Sequence, residues 1–93
     1  MDIETTLAKR TRMRRLELGK TQQQVAERIN SRGTLKVTRR DISRIETGEL
    51  ITPHFLEDLA IALEVSAIWL ASGMTAREHE QLLAGTAVAA GFG

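Results

Sequence analysis

Residues 37–48 read VTRRDISRIETG, three arginines beside two isoleucines with a threonine in front and a glycine behind. Thr38 stands three residues before Asp41, the spacing of a helix-capping pair, and an acid there lies near the positive end of the helix dipole. A helix therefore starts after Thr38 and stops at Gly48. At about 100° per residue, Ile42, Ile45 and Glu46 fall on one face, turned to the body of the domain. Arg40, Ser43, Arg44 and Thr47 fall on the other, while Arg39 sits in the first turn, where a long side chain reaches past the helix end. No carboxylate is expected on that outer face to pair with Arg40 and Arg44. Such a face is either plainly solvated or aimed at an anion, and the surrounding chain has to decide.

Working outward, helix signals recur and strand alternation is nearly absent. TQQQVAERI carries Thr21 as N-cap with Gln24 three residues on, and Val25, Ala26 and Ile29 as its buried stripe. NSRGTLK, centred on Gly33, is a polar loop joining it to the arginine helix. Upstream, a helix is expected from about Thr5 to Leu18, with Ile3, Leu7, Thr11 and Leu18 on one face and Gly19 as the stop. Downstream, a fourth should start at Thr52 with Pro53 in its first turn and run to Val65, turning Phe55, Leu56, Leu59, Ala60 and Leu63 inward. Ser66 caps a short fifth helix, AIWLAS, closed by Gly73. Thr75 and Glu78 open a sixth to Ala84, and fraying is expected after Gly85. The fold class is all-α, a bundle of five short helices with a sixth at the carboxy end. Residues 1–73 form one domain and 74–93 a helical tail suited to dimerisation.

Ninety-three residues with 42% hydrophobic content suit one small domain with a thin core. Cysteine is absent, so the chain has no disulfide or thiolate metal site, which fits a reducing cytoplasm. No segment approaches the roughly 18 apolar residues of a membrane span, and MDIETTLAKR lacks the apolar region of a signal peptide. The net charge of +1 conceals an asymmetry. Residues 1–48 hold twelve of the thirteen lysines and arginines against six carboxylates, whereas residues 49–93 hold one against six. A basic half facing a polyanion and an acidic half facing away account for that division.

A helix ending near Ile29 and another starting near Thr38 make two thirds of a DNA-binding unit. A helix fits the major groove, and arginine forks onto the N7 and O6 acceptors of guanine. At this point LGKTQQQVAERI followed by VTRRDISRIETGELITPHFLEDLAIALEVSAIWLASG resembles the helix-turn-helix domain of lambdoid phage repressors and Cro proteins, over about Arg10 to Gly73. Its more specific parts are ISRIETG, PHFLEDLAIALEVS and WLASG. The resemblance implies a lambda-repressor-like bundle that binds double-stranded DNA as a homodimer. It implies base contacts from Arg39, Arg40 and Arg44, with Ser43 on the same face, although relatives often carry glutamine there. It further implies that Gln22 bonds a phosphate and buttresses the third helix, with Thr21 and Thr38 beside it. Thr52 and His54, in the segment before Phe55, become candidate phosphate contacts. Ile68 and Trp69 lie where the family forms dimer contacts, and the stripe of Leu82, Leu83 and Val88 offers a second surface for a partner.

Glu46, angled toward the core, needs a cation, because an unpaired buried charge is costly. Spacing leaves Arg14 and Arg15 both eligible; the family pattern resembles an Arg15–Glu46 pair. One departure stands out. Relatives join the second and third helices by a tight turn, whereas SRGTLK adds about six residues here. Either the turn bulges outward or the third helix docks at a shifted angle, and Arg32 and Lys36 become candidate phosphate contacts.

Catalysis finds no support. His54 and His79 are far apart in sequence, and the chain has no cysteine nucleophile, phosphate-binding glycine loop or metal-ligand cluster, so neither metal nor cofactor is expected. The expectation is a cytoplasmic transcription regulator, a repressor by resemblance, binding a near-palindromic operator in a bacterial or phage-infected cell. The rival is a protein-interaction module of the same architecture, such as an antitoxin component acting through a partner protein.

Overall fold

A computed structural model describes residues 6–51, 53–75, 77, 78 and 80–84. Its helices follow in the order α1 (Leu7–Glu17), α2 (Gln22–Asn30), α3 (Arg39–Glu46), α4 (Leu56–Ala62) and α5 (Ala67–Ser72), with no strand among the described residues. The fold class is all-α, as the helix signals predict. Every capping residue named from the sequence for α2, α3 and α5 performs that role: Thr21 accepts from the Gln24 amide, Thr38 from Asp41 and Ser66 from Trp69. Beyond Met74, residues 77, 78 and 80–84 are helical, and the Glu78 amide donates to Thr75 Oγ1 at 3.1 Å. Ala76, His79 and everything from Gly85 on, including Val88 and the segment expected to fray, lie outside the described residues, as do Ile3, Thr5 and Thr52.

Three helix boundaries differ from expectation. α1 starts at Leu7, capped by Thr6. α4 starts at Leu56, not Thr52, because Pro53 and Phe55 are both buried. Residues two apart on a helix point in nearly opposite directions, so a helix there could not turn both inward; a turn does. α4 also ends early. Glu64 adopts φ 59°, its amide bonding Ile61 O and the Val65 amide bonding Ala60 O, both at 3.0 Å. That is the pair of bonds that closes a helix through a left-handed residue, a position glycine usually fills. α1 ends in the same way through Gly19 at φ 67°, with Lys20 N bonding Arg15 O.

The core is one apolar cluster to which α2, α3, α4 and α5 all contribute, through Val25, Ile29, Ile42, Ile45, Leu59 and Leu70 among others. α1 adds Thr11, wholly buried, and partly buried Leu7. More unexpectedly, α1 holds three other helices by arginine. Arg10, 2% exposed, donates Nε to Leu70 O at 2.8 Å and Nη2 to Ala71 O at 2.9 Å, both near the end of α5. Arg14 Nε reaches Leu63 O at 2.9 Å, at the end of α4, and Arg15 takes Glu46 on α3. From α2, Arg28 Nη1 adds Ala62 O at 3.2 Å and the Glu64 carboxylate at 3.1 Å. Cations at helix carboxy ends satisfy carbonyls that lack an intrahelical donor and oppose the negative end of the dipole. Four of the twelve cations in residues 1–48 thus hold the bundle together, and the basic half is less free to meet a polyanion than its net charge implies.

Candidate nucleic-acid interface

α3 is fixed at both ends. At its start, Thr38 and Asp41 exchange bonds: Thr38 Oγ1 accepts from the Asp41 amide at 3.2 Å, and Asp41 Oδ2 accepts from the Thr38 amide at 2.9 Å. The Thr38 hydroxyl also donates to Asp41 Oδ2, 3.1 Å away. In the middle, Ile42 and Ile45 are wholly buried. At its last residue, Glu46 receives Arg15 Nε on one carboxylate oxygen at 2.7 Å and Nη2 on the other at 2.9 Å. Gln22 Nε2 adds a third bond at 3.3 Å, and Arg15 Nη1 donates to Lys20 O at 2.9 Å. The Glu46 carboxylate therefore joins α1, the start of α2 and the end of α3, and Arg15 extends the link to the α1–α2 turn. The hydrogen bond to Glu46 raises the Arg15 pKa above its ordinary value, against partial desolvation that lowers it. Of the two eligible cations Arg15 is the partner, because Arg14 is turned to α4.

With its isoleucines inward, α3 leaves Arg39 and Arg40 exposed, Ser43 and Arg44 half-exposed, and Thr47 exposed. The expectation that no carboxylate faces this side needs correction. Glu49 Oε1 lies 3.5 Å from Arg44 Nε. The chain folds back after Gly48, the Leu50 amide bonding Arg44 O at 2.9 Å, and this return brings Glu49 onto the helix it has just left. Both side chains keep substantial exposure, 40% and 64%, so the pair is a surface one.

The remaining site residues predicted from sequence fall into distinct places. Thr21 is exposed, and its oxygen accepts from the Gln24 amide at 3.1 Å. Gln22 and Thr21 share a shallow cleft with Arg39, Lys20 and Gln23, so the α2 start and the α3 start lie side by side. Arg32 and Lys36 are exposed in the long loop. His54 is exposed, its ring edge-on to Phe55 with centroids 5.3 Å apart. Thr52 lies outside the described residues. Far along the chain, Ile68 on α5 is 37% exposed, Leu82 56% and Leu83 54%, whereas Trp69 is partly buried against the core. Among the described residues no cluster of His, Cys, Asp or Glu could hold a metal ion, and no helix is long and apolar enough to cross a membrane.

Sequence reasoning missed Asn30. Its side chain closes the base of the long loop, Nδ2 donating to Val37 O and Oδ1 accepting from Val37 N, each at 2.7 Å. Beyond this closed base residues 31–34 and 36 are exposed, while Leu35 packs against the core. The only signal in the sequence is an amide side chain at the end of a helix just before a lengthened loop.

A family model described as helix-turn-helix matches residues 12–70, well over half of the chain. The chain belongs to that family, and its α2, long turn and α3 form the motif. It carries a DNA-binding domain of a regulator class, and the family is not a class of enzymes.

Proposed function

From membership of the helix-turn-helix family we propose that the chain is a sequence-specific transcription regulator, resembling lambdoid phage repressors and Cro proteins, that reads the major groove through the exposed side of α3. The observation that carries the reading is the two-faced α3: Ile42 and Ile45 wholly buried, Arg39 and Arg40 exposed at its leading end, and a cap that holds the first turn in place. Arg39, Arg40 and Arg44 are the base-reading groups, aided by Ser43, and their fork geometry favours guanine. Gln22 keeps amide hydrogen for a phosphate beyond its bond to Glu46, and Thr21 keeps its hydroxyl proton. The Thr38 proton is engaged by Asp41, so Thr21 is the stronger phosphate donor of the two. Arg32, Lys36, Thr52 and His54 complete the backbone set.

A single module of this size makes too small an interface for tight recognition, so a homodimer on a near-palindromic operator, with half-sites about one turn apart, follows. Ile68, exposed on α5, supports that surface, with Trp69, Leu82 and Leu83 as its neighbours in the proposal. Repression in the cytoplasm, by blocking polymerase at the operator, is the corresponding biological role. Selection of bound sequences from random duplexes tests the reading. Enrichment of an inverted repeat containing guanines supports it; recovery of unenriched sequence at low salt rejects it in favour of a module that acts through a protein partner.

A further inference from the structure

We propose that Asn30 is the positioning residue for base recognition: its side-chain amide fixes where α3 begins, so that the long connection does not loosen the reading helix. Asn30 is the last residue of α2, and Val37 immediately precedes Thr38, the cap of α3. The two bonds between them, both 2.7 Å, run in opposite directions, as two paired peptide units would. A primary amide supplies both a donor and an acceptor, which aspartate at neutral pH and alanine do not. Between these anchors Ser31, Arg32, Gly33, Thr34 and Lys36 are exposed, while Val37 is 4% exposed. Leu35 alone of the loop turns back onto the core, so the polar excursion is closed off before the helix it leads into.

The inference rests on the DNA-reading function, and the geometry says why position matters at this end. α3 has eight residues, and its far end is held by Arg15 and Gln22 on Glu46. Groove reading depends on the near end, where Arg39 and Arg40 project. Without the amide, the near end is held by the apolar contacts of Leu35, Val37 and Ile42 alone, which lack the directionality of the paired hydrogen bonds. Displacing an arginine fork by about 1 Å spoils bidentate bonding to a base yet leaves a charge near the phosphates. Asn30 should therefore affect discrimination, while Arg32 and Lys36 affect overall affinity.

The test pairs a DNA-free readout with a DNA readout. In the wild-type protein, the Asn30 side-chain amide should exchange with solvent more slowly than that of exposed Gln23; equal rates overturn the clamp even if every variant fails to fold. In Asn30→Ala and Asn30→Asp, amide exchange should accelerate about tenfold or more from Val37 to Ile42 and stay unchanged at Leu63. Acceleration spread evenly over the molecule, or none, overturns the proposal. With a selected operator and a scrambled duplex, the same variants should lose about tenfold of the affinity ratio with an unaltered salt slope. Arg32→Ala with Lys36→Ala should instead weaken both duplexes alike. A ratio unchanged in the Asn30 variants rejects the positioning role. A wild-type protein that prefers neither duplex rejects the DNA-reading function itself, and the exchange rates still decide the clamp.

Discussion

At the residue scale, the interface depends on which charges are free and which are engaged. If Arg44 reads DNA as proposed, Glu49 competes for it, from an exposed position 3.5 Å away. Exposed pairs contribute about 0–1 kcal/mol, so Glu49→Gln should strengthen DNA binding by no more than about fivefold, measured by anisotropy titration at fixed salt. The Arg15–Glu46 pair is of another kind, with side chains 12% and 5% exposed. Removing either partner leaves a desolvated charge, so Arg15→Ala or Glu46→Ala should each cost about 3 kcal/mol in denaturant unfolding, and the double variant less than their sum. The raised Arg15 pKa places the titration of this cation at the alkaline end. A cation whose folded pKa is raised contributes its full stability below the unfolded pKa and loses it as pH rises through the folded one. Arg15 protonation should therefore contribute evenly across neutral pH, and an alkaline unfolding series checks that.

At the element scale, caps and stops were the legible part of the fold. Thr21 with Gln24, and Thr38 with Asp41, are short-range devices written within four residues, and both form as expected. The start of α4 was not legible, because proline suits the first turn of a helix and a preceding turn equally well; only the joint burial of Pro53 and Phe55 decides. Nor was its end, since Glu64 carries no sign that its backbone is left-handed. A side chain at φ near +60° strains the backbone, and glycine relieves that strain. Glu64→Gly should raise stability by about 0.5–1 kcal/mol despite loss of the exposed Arg28 pair, and thermal unfolding reads the shift. An unchanged or lower melting temperature would mean that the Arg28 contact outweighs the strain.

At the scale of the whole molecule, the sequence showed a basic half and left its use open. Arg10 and Arg28 look no different in sequence from Arg32, Arg39 and Arg40, and spacing marks Arg14 and Arg15 only as alternatives for Glu46, yet all four meet carbonyls or a carboxylate of the bundle. Long-range partners, 31 or more residues away, distinguish them, and no local pattern records such a distance. The face of α3 was legible because helical phase sets it; the Asn30 closure was not, because it spans a loop. Since fewer cations are free, the salt dependence of DNA binding should be moderate and traceable to named groups. Removing Lys36 or Arg32 should lower the slope of log K against log salt by about one each per protomer, whereas Arg28→Ala should leave the slope alone and lower stability.

The central claim is that the outward arginines of α3 read bases. Its most direct test is the affinity of the wild-type protein and of Arg40→Ala for a duplex panel in which each operator base pair is changed in turn. The account predicts that Arg40→Ala, still folded, flattens the preference at one base pair of each half-site, where the wild type discriminates by about 1–3 kcal/mol, and keeps the other preferences. An equal loss of affinity across every duplex in the panel would contradict it.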